Sequence, residues 1–129
     1  MYLNENAFKI EGLNIGEYIT SIEYGHNKVW ANDTGRNLSA EMGGTFLGIV
    51  WKFKLNFAPM DKATIERISP VLDKAWQQTT FYDTNSKSTR TIKTYTGDWA
   101  TLNRNTFSNV AKVNESFDIS VIATKPIKY

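Results

Sequence analysis

The sequence predicts a mainly β protein, an antiparallel β-sandwich or small open barrel with one α-helix packed on it. Three observations carry this reading. Several stretches alternate apolar and polar residues with a period of two, only one stretch recurs at helical spacing, and that stretch stands between a long strand and a hairpin. With 129 residues the chain suits a single domain, 1–129, large enough to bury one hydrophobic core.

Taken in chain order, Phe8 and Ile10 stand two apart and run into Gly12, which predicts a short strand ending in a turn. After Gly16, the residues Tyr18, Thr20, Ile22 and Tyr24 alternate with Ile19, Ser21 and Glu23 as a second strand. Gly25-His26-Asn27 then reads as a turn ahead of Val29-Trp30. Residues 31–44 are polar and glycine-bearing, break the alternation, and form the longest candidate loop, so they are the first place to look for function.

The strongest strand follows, with Thr45, Leu47, Ile49, Trp51, Phe53, Leu55 and Phe57 on one face. Its other face begins with Phe46, Gly48 and Val50 and continues with Lys52, Lys54 and Asn56, so its second half meets water. Pro59 ends it. Asp61 suits a helix N-cap, and Ile65, Ile68, Leu72 and either Ala75 or Trp76 recur at helical spacing. One helix over residues 61–77 is predicted, kinked or restarted at Pro70 with Ser69 as a second cap. Residues 79–83 and 89–95 are rich in β-formers and flank a polar loop, which predicts a hairpin. Residues 99–109 yield no assignment. Phe117, Ile119, Val121 and Ala123 alternate with polar neighbours as a closing strand that Pro126 stops. Trp51, Phe53, Phe57 and Trp76 belong to the predicted core, whereas Trp30, Tyr95 and Trp99 stand beside turns.

The inventory of reactive side chains is small. There is no cysteine, which removes disulfides, thiolate metal sites and cysteine nucleophiles. His26 is the one histidine, so a two-imidazole metal site cannot form within one chain. Gly43-Gly44 and Gly48 have neither the spacing nor the lysine of a phosphate loop, and no serine sits in a Gly-x-Ser-x-Gly elbow. Asp83-Thr-Asn85-Ser-Lys87 imitates the start of a calcium loop, but Thr94 stands where a bidentate Glu belongs and the central Gly is missing, so it reads as a hairpin loop. Glu11, Glu17, Glu23 and Glu41 nominate no catalytic pair, and Asp118 is a solvent-facing alternation partner. No catalytic residue, cofactor or metal is expected, and the chain is read as no enzyme.

A net charge of +2 with basic residues scattered among acids predicts no specific nucleic-acid binding. The longest apolar run, residues 46–51, is far shorter than the ~20 residues of a membrane helix, so no membrane association is expected. The opening Met-Tyr-Leu-Asn-Glu has no basic start or apolar stretch, and a soluble, intracellularly made protein is expected.

The run Thr34-Gly-Arg-Asn-Leu-Ser-Ala-Glu-Met42 precedes the strand with Trp51-Lys-Phe-Lys-Leu55 and the helix with Ile65, Ile68 and Leu72. Then come Phe81-Tyr-Asp83, Thr94-Tyr-Thr-Gly-Asp98 and Phe117-Asp-Ile-Ser-Val-Ile122. In this order the elements, from about Asn32 onward, resemble small tail-associated structural proteins of phages and prophages of Gram-positive bacteria. The resemblance implies a β-sandwich with a flanking helix, as in tail-tube, tail-terminator and distal-tail domains. It implies assembly into a ring, commonly a hexamer, through strand edges and long loops, with neighbouring tail proteins as further partners and no catalytic residues. The protein would be made in the bacterial cytoplasm and reside in the virion tail. Its candidate subunit-interface residues are Trp30, Asn32, Arg36, Leu38 and Met42. A slightly basic chain departs from the acidic interior of a DNA-carrying tube, which favours a connector or baseplate position. Two other classes stand beside this reading: a carbohydrate-binding module with Trp30, Tyr95 or Trp99 as stacking rings, and a small carboxylate-dependent hydrolase.

Overall fold

Alternation in most of the strands is strict enough to leave one face of a sheet apolar and the other polar, and the chain buries the apolar face by curling one sheet upon itself. The computed structural model describes residues 8–31, 35–36, 42–103 and 114–129. Its described strands are β1 (Lys9–Ile10), β2 (Leu13–Asn14), β3 (Ile19–Trp30), β4 (Gly35–Arg36), β5 (Met42–Gly43), β6 (Phe46–Phe57), β7 (Gln77–Asp83), β8 (Ser88–Thr96) and β9 (Phe117–Ala123). A short 3-10 turn, Gly16–Tyr18, leads into β3, and the helix α1 spans Lys62–Leu72. Seven strands form one antiparallel sheet in the order β2-β1-β7-β8-β9-β6-β3, which does not close, while β4 and β5 form a separate ribbon. This is the open-barrel form of the predicted class.

The curl is visible in the rings. β6 and β7 are three strand spacings apart in the sheet, roughly 14 Å if it were flat. Yet the Phe81 ring lies 5.1 Å from Trp51 and 4.9 Å from Phe53, centroid to centroid. Phe8 meets Phe53 at 5.2 Å, and Tyr24 on β3 packs edge-on against the same ring at 5.2 Å. Trp51, Phe53, Leu55, Phe57 and Phe81 are fully buried in this core. The outward residues of β6, Lys52 and Lys54, are exposed, as predicted.

At three places the structure differs from the sequence reading. The first is Gly25-His26-Asn27, which makes no turn. β3 runs through it for 12 residues, paired with β6 from Ile19↔Phe57 to Trp30↔Phe46. The missing side chain at Gly25 leaves room for the Lys52 carbonyl oxygen, which would lie 2.8 Å from a Cβ there. Secondly, the face assignment of β6 fails at Leu47. Val29 pairs with Gly48 but Trp30 pairs with Phe46, so Leu47 is the extra residue of a bulge, and it is 43% exposed where alternation predicts core.

The third difference is the helix, which ends at Leu72 rather than near residue 77. Asp61 caps its start as predicted, its carboxylate accepting from the Thr64 N–H at 2.8 Å. Pro70 sits in the last turn, where its missing N–H removes a single intrahelical bond, and Ser69 starts no second helix. Its carbonyl accepts from the Asp73 N–H instead. Gln77 then terminates the helix: its side-chain amide donates to the carbonyls of Leu72 and Lys74, each at 3.0 Å. Trp76 is thereby expelled from the core and is 55% exposed. Ile68 and Leu72 are buried and Ile65 packs against the core, so α1 plugs the end of the sheet where β3 and β9 begin and β6 and β8 end.

The predicted hairpin forms with β7 and β8 in register from Gln77↔Thr94 to Asp83↔Ser88. The closing strand β9 lies between β8 and β6 as the alternation requires. Residues 31–44, read as a loop, hold the β4–β5 ribbon with Arg36 opposite Met42.

Bulge and core give opposite expectations for two residues of one strand. Phe53→Ala is expected to cost about 3–5 kcal/mol in denaturant unfolding. Leu47→Ala is expected to change stability by about 0.5 kcal/mol or less. Equal losses at the two positions would mean that the alternation of β6 runs unbroken past Gly48.

Candidate functional site

Two features of this sheet stand out: the edge of β3, which has a neighbour on one side only among the described residues, and the mouth opposite α1. β3 is the last strand of the sheet, and among the described residues it is hydrogen-bonded to β6 alone. Alternate residues of an edge strand turn their N–H and C=O groups outward, which makes such a strand a template for pairing. This one contains no proline and is as long as its neighbour β6, which lies second from the edge rather than at the centre of the sheet. Glu23 stands opposite Lys54 on the outer face, and Asp118 on β9 forms an exposed ion pair with Lys54 at 3.5 Å, so Asp118 is the solvent-facing residue the sequence predicts.

On the inner face of β3, the register places Tyr24 beside Phe53 and His26 beside Trp51. The His26 and Trp51 rings are 4.3 Å apart, with the histidine on the exposed side. At the far end Trp30 packs edge-on against Phe46 at 5.1 Å and remains 39% exposed. Of the predicted interface residues, Trp30 therefore ends the free edge. Arg36 and Met42 are register partners in the backbone of the ribbon, and Asn32 and Leu38 lie outside the described residues.

The mouth is closed by polar contacts that composition did not reveal. Asp83 is fully buried at the end of β7. One of its oxygens accepts from the backbone N–H groups of Asn85 and Ser86 at 2.9 and 3.4 Å, which builds the turn of the predicted hairpin. The other accepts from Arg90 Nε at 3.1 Å and from the Tyr129 hydroxyl. That hydroxyl in turn accepts from Trp51 Nε1 at 2.9 Å. Trp51, Tyr129, Asp83 and Arg90 thus form one chain across the mouth, with the Arg90 guanidinium also 5.7 Å from the Tyr129 ring centre. Burial and the hydrogen bond to Asp83 hold the Tyr129 phenol above its ordinary range.

The stacking rings weighed for sugar binding do not form a row. Tyr95 pairs with Ile122, which pairs with Lys52, so it lies on the outer face, while Trp30 lies on the inner face three strands away. Trp99 stacks on Phe117 at 5.3 Å, and its indole N–H donates to Asp73 at 2.9 Å. Tyr95 instead meets Trp76 edge-on at 6.2 Å, with Lys93 Nζ 4.7 Å from the indole centre. A shallow groove of about 440 Å³ beside the end of α1 is lined in part by Asp73, Thr96, Asp98 and Trp99. Asp73 is occupied there by Trp99 and by the Ser69 hydroxyl, which makes it a positioning group for the indole. Among the described residues no cluster of His, Asp and Glu is arranged to hold a metal ion, and no helix is long and apolar enough to cross a membrane.

The chain matches no known family model, no curated protein and no solved structure.

The raised phenol gives the mouth a pH signature. Tyr129 holds its proton to higher pH when folded than when unfolded, so its stabilising effect is present below about pH 10 and is lost as pH climbs through the folded value. Tyr18 shifts in the same direction, chiefly through a hydrogen bond with Glu17, so the comparison is made in a Tyr18→Phe background. There, Tyr129→Phe is expected to flatten the alkaline fall in stability and to remove a late-titrating phenol from the tyrosinate absorbance curve. An unchanged curve would mean that Tyr129 is not held by Asp83.

Proposed function

We propose that this protein is a structural subunit that works by repeating itself, and that it serves as a phage- or prophage-tail component at a connector or baseplate position. Copies associate in a ring, with a hexamer as the expected order, and the β3 edge is the contact that builds it. The observation that carries this reading is a 12-residue edge strand with a neighbour on one side only among the described residues, ending in an exposed tryptophan. Edge pairing satisfies main-chain groups without special side chains, so it suits a chain with few reactive residues. Trp30 supplies what main-chain pairing lacks, a large apolar anchor for a specific neighbour.

A closed ring needs a heterologous contact, in which β3 of one copy meets a different surface of the next. The half-exposed Trp30 at one end of β3 makes the edge asymmetric along its length, which favours such a head-to-tail contact over a symmetric pair.

Light scattering of the concentrated wild-type chain, alone and with a neighbouring tail protein, is expected to show a discrete multi-chain species. Trp30→Glu is expected to shift it to single chains by about tenfold or more in dissociation constant, the loss of an aromatic anchor, while leaving the unfolding midpoint little changed. A wild-type chain that stays single under both conditions overturns the proposal.

A further inference from the structure

A second contact between copies is built into the other side of β6. β9 pairs with β6 only over Lys52–Phe57, and beyond that point the place beside β6 is taken by residues 124–129, a strap that follows a bend. Ile127 and Ile49 exchange both main-chain hydrogen bonds, each at 2.9 Å. The slot fits this strap closely. Gly48 has φ +135°, and a Cβ there would lie 2.6 Å from the Ile127 carbonyl oxygen, so the strand gives up a side chain to let the strap lie against it. Tyr129 is then fixed between Trp51 and the buried Asp83.

The bend that delivers the strap is short. An in-register continuation of β9 from Ile122↔Lys52 would set Lys125 opposite Ile49, yet Ile127 is there, so the extra chain is taken up between Ala123 and Ile127. Pro126 follows Lys125 and disfavours a compact backbone at that residue, which pushes the bend toward an extended form. A short hinge invites exchange of the element it carries, because an extended hinge sends that element to a neighbour with its contacts preserved.

We infer that residues 124–129 are an exchangeable strand, and that the occupant that replaces a chain's own strap in the slot beside Ile49 is the strap of a second copy. The slot selects this occupant. It requires an extended segment with a main-chain pair at one residue, clearance over Gly48, and a phenol two residues later that donates to Asp83 and accepts from Trp51. Each copy carries that segment. The exchange uses the side of β6 away from β3, so it goes beyond the ring contact proposed above and does not depend on it.

The chain has no cysteine, so engineered thiols report only on this contact. Ile49 and Ile127 form a doubly hydrogen-bonded antiparallel pair, whose Cα separation of about 5.5 Å suits a disulfide. The double variant Ile49→Cys/Ile127→Cys is expected to close within one chain, which checks that the strap is seated. When separately made Ile49→Cys and Ile127→Cys chains are mixed at high concentration and oxidised, a mixed disulfide of about twice the single-chain mass is expected. An intrachain disulfide in the double variant, with no mixed product from the separately made chains, overturns the inference. The mixed disulfide reads the strap alone, so a failed exchange is told apart from a failed ring, which is read by mass in the unmodified chain.

Discussion

The contact between Phe81 and the Trp51–Phe53 pair is the constraint on which the rest of the structure depends. Those rings belong to strands that a flat sheet would hold far apart, and their meeting at about 5 Å is what turns one sheet into a core. A sheet that is apolar on one face has to cover that face. Here the cover is the sheet itself, helped by one helix at one end and one tyrosine at the other.

The two ends are closed by different means, and the difference follows from what lies inside. Near α1 the inner face carries Thr79, Thr94 and Gln77, all buried; their hydroxyl and amide N–H groups are matched locally, while the Gln77 side-chain oxygen has no partner among the described residues. Thr79 and Thr94 share a hydrogen bond at 2.8 Å, while Gln77 takes the orphan carbonyls at the helix end. At the mouth the buried charge of Asp83 is met by a guanidinium, two backbone N–H groups and a phenol. Leaving any of these groups unmatched would cost on the order of 1–3 kcal/mol, so both ends are specific as well as closed. Curling without closing leaves β3 with a neighbour on one side only among the described residues, and that edge is what the proposed assembly uses.

Much of the fold was legible because burial leaves a mark at period two or at helical spacing. The closing strand, the hairpin and the inward face from Ile49 to Phe57 follow that rule, and the Asp61 cap was legible from its side-chain acceptor just ahead of the helical spacing. What was not legible depended on partners distant in sequence. Gly25 reads as a turn until Lys52 is placed against it, and Leu47 reads as core until the bulge beside Gly48 is known. Trp76 fits the helical stripe until Gln77 ends the helix first. In the candidate site, Trp30 drew notice because it stands beside a predicted turn and the polar run that follows, and the structure sets it at the end of β3. The meeting of Asp83, Arg90 and Tyr129 was not legible, since nothing in the spacing of 83, 90 and 129 announces it.

The central claim is that β3 acquires a neighbour when copies associate. The most direct measurement is amide hydrogen exchange along residues 19–30, in dilute protein and in concentrated protein, with residues 52–57 of β6 as the internal reference. The account predicts that alternate amides of β3 become more protected as concentration rises while those of β6 stay unchanged. Association that leaves β3 exchange unaltered would contradict it.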